Sequence, residues 1–285
     1  MLTHSTFVLL KHHIRPMDLI ALDTVAGRKY SFLSLTWGLI ADIDIESERF
    51  RALGNARFTV EAIFRILSPR AYKGKLSFLP NSPYTHKIRS QTVTLLSQGQ
   101  REQPATNGKV RSASTPNLSP HTTELGTAAN TLGNGHADGA VRDIQEVEET
   151  GSEGDVEEEI ELPPLDQPVP EHWVTIDDYF VSIVAVYQSH IGPEILAAPA
   201  ATMTDKLIHL LIIRSPVTRL QMLNIMTQLE TGSHTNNPQV ELVAVKAFRL
   251  EPLELRGNMV VDGEKVAYGP VQGKVLPSAA RVMAL

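Results

Sequence analysis

The chain has 285 residues, 42% of them hydrophobic, enough to bury a substantial core, and a formal net charge of -6. An acidic balance with only short arginine groups argues against a nucleic-acid partner, whose binding needs a clustered basic surface to release counterions. The absence of cysteine excludes disulfide frameworks, cysteine-ligated zinc and thiol nucleophiles.

The opening MLTHSTFVLLKHHIRPMDL holds one short apolar run, Phe7 to Leu10, and a later run, Leu207 to Ile213, is interrupted by His209. Both fall short of the roughly 20 apolar residues that a membrane span needs, so a cytoplasmic location is expected, with any membrane contact peripheral. FVLLKHHI, MDLIALDT and KYSFLSLTWGLIADIDI read as consecutive strands, the last two joined by the turn VAGR. From Leu33 to Ile45 every odd position is apolar, and a period of two predicts one face carrying Ser34, Asp42 and Asp44, with Ile40 as the exception and Gly38 as a bulge. Ser47 then suits the N-cap of a helix over Glu48 to Leu67, closed by Pro69. Its expected buried stripe is Val60, Ile63, Phe64 and Leu67, and Glu61 is expected to pair with Arg57 and Arg65, one turn either way.

Residues 81–168 change character, being rich in Ser, Thr, Gly, Asn and Pro and then strongly acidic, and they read as a long disordered insertion. Within them RSASTP makes Ser114 a candidate docking point for a phosphopeptide-binding adaptor, and Ser82, Thr115 and Ser119 each precede proline. Patterning returns over residues 169–285, where HWVTI, DYFVSIVAVY, KLIHLLIIR, VELVAVKAFRLEP, NMVVDGEKVAYG and GKVLPSAARVMAL are strand-like. One helix interrupts them, with Ser215-Pro216 expected at its start, Leu220, Leu223, Met226 and Leu229 on its apolar face and Gly232 at its end. The expected fold is mainly β, an antiparallel β-sandwich with two helices whose halves, residues 1–80 and 169–285, flank the insertion.

Three constellations stand out. In GLIADIDIESERFRALGNARF four carboxylates run into three arginines, either as a solvated helix start or as a site. In the second reading Asp44, flanked by Ile43 and Ile45, sits at the mouth of an apolar pocket, and a break at Gly54-Asn55 lets Arg51 and Arg57 converge on a phosphate. In VVDGEKV, Asp262-Gly263 signals a two-residue hairpin turn, with Glu264 a surface acid or a ligand to Mg²⁺ or a nucleotide. His234 stands alone in a loop, without a second metal ligand at a useful spacing. No glycine-rich phosphate cradle or nucleophile elbow is present.

SLTWGLIADIDIESERFRALGNARFT, YKGKLSFLP, HWVTIDDYFVSIVAVYQSHIGPEILAAP, AFRLEP and VDGE, in that order, resemble the C-terminal half of a sphingosine kinase, one of the diacylglycerol-kinase-like lipid kinases. The resemblance covers nearly all of the chain outside the insertion. It implies a lipid-binding β-sandwich and ATP-dependent phosphorylation of the sphingosine primary hydroxyl, with ATP and Mg²⁺ as cofactors. The catalytic aspartate of such kinases lies in an N-terminal nucleotide-binding domain, so no catalytic residue and no direct metal ligand are expected among these 285 residues. By the same resemblance Asp44 grips the amino and hydroxyl head of the lipid, with Ser34 close by. Leu39, Ile40, Ile43, Ile191, Ile195, Met226, His234 and Val240 line the lipid tunnel. Arg51 and Arg57 reach the ATP phosphates, and Asp262, Gly263 and Glu264 close on the nucleotide. Leu39 and Met226 replace phenylalanines usual in vertebrate members. A β-sandwich that binds sphingoid lipid without kinase activity is the alternative.

Overall fold

In the computed structural model, the described residues are 2–54, 56–84, 160–193 and 195–284. Among these described residues lie ten strands and four α-helices: α1 (Leu2–Lys11), β1 (Ile14–Thr24), β2 (Gly27–Ser31), β3 (Ser34–Gly38), α2 (Leu39–Glu46), α3 (Ala56–Leu67) and β4 (Tyr72–Pro80), then β5 (Val174–Val186), β6 (Ile208–Arg214), α4 (Arg219–Gln228), β7 (Val240–Pro252), β8 (Met259–Val261), β9 (Glu264–Lys265) and β10 (Val271–Met283). Short 3₁₀ stretches cover Ser47–Leu53 and Ser233–Asn236.

Every strand pairing is antiparallel, in the order β2-β1-β10-β7-β4-β5-β3-β8-β9, with β6 bridging β5 and β7. β5 and β7 have 13 residues each and pair with β4 along one half and with β6 along the other, so β4, β5, β6 and β7 close into a ring. This burial of both strand faces explains why the chain reads there as continuous apolar runs. On β6, Ile208, Leu210 and Ile212 enter one core while Leu211 and Ile213 enter another. The first core is built on Trp37, Tyr72, Phe78, Phe180 and Phe248; the second gathers Val181, Val184 and Val186 of β5 with Leu39, Ile43, Met222, Ile225 and Val240.

The mainly antiparallel β class stands, but two further helices form where alternation predicted strand. Residues 2–11 are α1, and β1 begins only at Ile14, where pairing with Met283 of β10 starts. The strand expected to run to Ile45 stops at Gly38, whose backbone (φ 84, ψ -134) turns the chain into α2. A Cβ at that position would lie 2.5 Å from the carbonyl oxygen of Val181, so glycine is required there on both counts. Beyond it Leu39 and Ile43, and Asp42 and Glu46, recur at the helical spacing of four. Ser47 is accordingly the C-cap of α2 rather than an N-cap, its hydroxyl donating to the carbonyl of Asp44 at 2.9 Å.

α3 faces opposite to the expected stripe. Glu61 and Arg65 are buried, whereas Ile63, Phe64 and Leu67 are about half exposed. α4 starts later than expected, on Thr218 in a capping box with Gln221, and buries Met222, Ile225 and Leu229 while Leu220 and Leu223 are exposed. Gly232 is left-handed as expected, four residues past the end of α4.

All ten strands belong to one unit formed by residues 1–90 and 158–285. Both ends of the 81–168 segment are fastened to it: Asn81 donates to the carbonyl of Ala244, and the buried Arg249 donates to the carbonyls of Pro163, Pro164 and Gln167. Residues 85–159, with Ser114, Thr115 and Ser119, lie outside the described residues. Because Gly38→Ala both places a Cβ against the Val181 carbonyl and forces a positive φ, it is expected to cost about 2–3 kcal/mol in urea unfolding, while Gly263→Ala, open around its Cβ, costs less.

Candidate functional site

α2 is the element on which the site is built. Its Leu39 and Ile43 enter the second core and Ile40 packs against it, as do Ile191, Ile195 and Met226; Val240 is fully buried within it. His234 is buried beside the same core, its Nε2 2.9 Å from the carbonyl of Ala197, while its Nδ1 has no hydrogen-bond partner among the described residues. The eight side chains expected along a lipid tunnel therefore converge on one apolar region.

Asp44, in the second turn of α2, is half-buried, and its carboxylate has no hydrogen bond among the described residues. Burial pushes its pKa above the ordinary carboxylate value; the Arg57 guanidinium opposes the rise and the Glu48 carboxylate adds to it. Glu48 forms ion pairs with both Arg57 and Arg51, the latter at 3.3 Å. Gly54 (φ 56, ψ -134) reverses the chain between the two arginines, accepting from the amide of Arg57 at 3.3 Å and donating to the carbonyl of Arg51 at 3.1 Å. One helix thus presents apolar side chains to a core and a carboxylate toward Arg57.

Ser34 lies elsewhere on the molecule's framework than a shared strand face would put it, because Asp42 and Asp44 are helical. It opens β3, and its neighbour is Asp262: the Asp262 carboxylate accepts from the Ser31 hydroxyl and from the amides of Phe32, Leu33 and Ser34 at 2.7–3.1 Å, and the Asp262 amide donates back to the Ser34 carbonyl. The expected hairpin turn is present, with positive φ at Asp262 and Gly263 between β8 and β9. Asp262 spends its carboxylate on the backbone of the Ser31–Ser34 segment, leaving Gly263 and the exposed Glu264 as the accessible part of the turn.

Of a second charge chain behind α2 the sequence showed only the Glu61–Arg65 pair; Arg57, expected beside Glu61 as well, pairs with Glu48 instead. Glu61 pairs with Arg49 at 2.7 Å and Arg65 at 2.9 Å; Arg65 also pairs with Glu46, and Arg70 joins Glu46 at 2.8 Å to Asp42 at 3.8 Å. Asp42 is buried and accepts from the Tyr72 hydroxyl and from Asn258 at 2.9 Å. Burial and this carboxylate push the Tyr72 phenol up to about 12. Removing one partner of such a buried pair leaves an uncompensated charge, so the chain locks α2 to α3, β4 and the approach to β8. The i to i+4 spacing of Asp42 with Glu46 and of Glu61 with Arg65 was the available signal. A polar cavity of about 490 Å³, lined by Asp23, Arg28, Glu161 and Lys274 among others, contains none of the expected site residues.

Residues 151–284 match the family described as the YegS C-terminal NAD kinase β-sandwich-like domain. The chain is 31% identical over 348 residues to human sphingosine kinase 2, covering 99% of this chain and 53% of that one, and 32% identical over 282 residues to human sphingosine kinase 1, covering 98% and 58%. The chain belongs to the sphingosine kinase family. It spans about half the length of the curated relatives it matches. A relative from Caenorhabditis elegans, its sphingosine kinase 1, is 33% identical over 239 residues, covering 83% of this chain and 46% of its own. A diacylglycerol kinase structure from Bacillus anthracis covers 97% of this chain and 56% of its own at 9% identity and a TM-score of 0.45, a likeness too loose to bear on the site.

α2, Glu48 to Arg57 and the Asp262 turn each hold expected site residues among charged or hydrogen-bonded side chains. Asp262→Ala removes the acceptor for three backbone amides and is expected to lower stability by about 3 kcal/mol in urea unfolding, against less than about 0.5 kcal/mol for the exposed Glu264→Ala.

Proposed function

We propose that this chain supplies the lipid pocket and part of the nucleotide site of an ATP-dependent kinase that phosphorylates the primary hydroxyl of a sphingoid base, giving sphingosine 1-phosphate from sphingosine. The observation that carries this reading is the double role of α2, which sends Leu39 and Ile43 into an apolar core and brings the half-buried Asp44 carboxylate near Arg57, itself joined to Arg51 through Glu48. An ammonium or hydroxyl head would meet the Asp44 carboxylate while the hydrocarbon tail packs among Leu39, Ile40, Ile43, Ile191, Ile195, Met226, His234 and Val240. A half-buried carboxylate holds a cation more strongly than one in open solvent, because less water competes.

Arg51 and Arg57 would take the ATP phosphates as charge-assisted, bidentate donors, and Gly263 and Glu264 would face the nucleotide from the hairpin. In-line phosphoryl transfer asks for charge stabilisation on the transferring group, which guanidinium groups provide. We assign no side chain of this chain to Mg²⁺, which neutralises phosphate charge when it accompanies ATP. The base that accepts the hydroxyl proton is assigned to a residue outside these 285 positions.

The exposed apolar face of α3, with Ile63, Phe64 and Leu67, supports peripheral recruitment to a membrane, where such side chains enter the interface. Among the described residues no helix is long and apolar enough to cross one. Replacing both Ile63 and Phe64 by Glu should lower binding to phosphatidylserine-containing vesicles by tenfold or more in a sedimentation assay, with the thermal unfolding midpoint unchanged, since both side chains are half exposed.

Asp44→Asn should weaken sphingosine binding about tenfold while leaving ceramide, which lacks the ammonium, within about twofold; equal losses for the two lipids would remove the charge contact from the account. The pH dependence has a definite sign. Asp44 must be ionised to hold an ammonium and its pKa is raised, so sphingosine affinity falls as pH drops through that raised value, before an ordinary carboxylate near about 3.9 would protonate. Fluorescence titrations across pH should show this step in the wild type and not in Asp44→Asn.

A further inference from the structure

One member of the Asp44 cluster has no part in the proposed kinase site. Glu48 is the second residue of the 3₁₀ stretch that follows α2, and its carboxylate is divided: Oε1 meets Nη1 of Arg57 and Oε2 lies 3.3 Å from Nε of Arg51. The contact with Arg51 follows from the spacing of three along a helical turn. The contact with Arg57, nine residues on, exists only because the chain doubles back at Gly54.

Two guanidinium groups brought together repel each other, and here one carboxylate offsets both. Its two oxygens meet the same demand that phosphate oxygens would meet at a pair of guanidinium forks. The pair is unequal: the Arg57 side chain is 19% exposed and that of Arg51 81%, so Arg57 is the more buried donor and Arg51 the solvent-facing one. Glu48 itself is 45% exposed and has room to leave toward solvent. Its charge also reaches Asp44, which it drives toward protonation. Asp44, Glu48, Arg51 and Arg57 together carry no net charge, and an anion added on the arginine side leaves the group negative.

We propose that Glu48 is a positioning residue that holds Arg51 and Arg57 in the place of a phosphate, and that an anion displacing it frees a negative charge beside Asp44. Anion binding to the arginines and cation binding at Asp44 then strengthen each other, and the coupling is equal in both directions. This rests on the reading of Arg51 and Arg57 as phosphate ligands, and adds to it a competitor and a link between the two halves of the site.

Isothermal calorimetry of inorganic pyrophosphate binding to the 285-residue chain tests it. Glu48→Gln removes the competing charge and should tighten pyrophosphate about fivefold. Glu48→Asp, with the carboxylate drawn back by one methylene, should give a smaller gain in the same direction. Equal or weaker binding by these variants overturns the proposal. Arg57→Ala separates it from the reading beneath: binding by the wild type that Arg57→Ala abolishes keeps the phosphate site whatever Glu48 does, whereas no binding by the wild type or by Glu48→Gln overturns both. A titration that needs no variant reads the coupling, because saturating pyrophosphate should tighten n-decylamine, a soluble single-chain amine, about threefold. An unchanged decylamine affinity overturns the link.

Discussion

The close approach of Gly38 to the carbonyl of Val181 governs how the charged residues are used. It ends β3 after five residues and turns the chain at a φ that disfavours side chains, so that Leu39 to Glu46 wind into a helix instead of extending the sheet. A strand would have sent Asp42 and Asp44 to the same face. A helix separates them by 200°, two steps of 100°. Asp42 goes inward to Tyr72 and Asn258, and Asp44 goes to the Glu48, Arg51 and Arg57 group. Two aspartates two residues apart thereby acquire different roles, one structural and one available to a ligand.

The inward role explains the behaviour of α3. Its most buried side chains are Glu61 and Arg65, an arrangement that desolvation would forbid for either alone. Each finds partners from neighbouring elements: Arg49 for Glu61, Glu46 for Arg65, and Arg70 linking Glu46 toward Asp42. Hydrophobic burial would have favoured the opposite face of the helix, and the charge chain prevails because its members satisfy one another. The consequence is an apolar face of Ile63, Phe64 and Leu67 turned outward beside the candidate site.

Much of the framework was legible in the sequence. Alternation and apolar runs located β1, β5, β6, β7 and β10, and Asp262-Gly263 gave the β8–β9 turn, because pairing and turn chemistry are local or repetitive signals. The strand from Leu33 to Ile45 was misread because odd-position alternation continues by coincidence past Gly38; Ile40, out of phase, and the glycine itself were the marks of the change. The stripe of α3 was misread because periodicity identifies an apolar face without saying whether a charge chain on the other face will claim the interior. The arginine convergence was foreseen from Gly54, but the acidic partner between the arginines was not, since a separation of nine residues has no helical meaning until the reversal is known. Family resemblance supplied the ligands, which neither periodicity nor charge spacing could name.

In the proposed function α2 would carry a lipid on one side and face phosphate chemistry on the other, with Asp44 as the point that holds an amine. A crystal structure of the chain with sphingosine bound tests that claim most directly. The account predicts the amino group within about 3 Å of an Asp44 carboxylate oxygen and the tail among Leu39, Ile43 and Val240. A head group bound instead in the polar cavity of Asp23, Arg28 and Lys274, with Asp44 untouched, would contradict it.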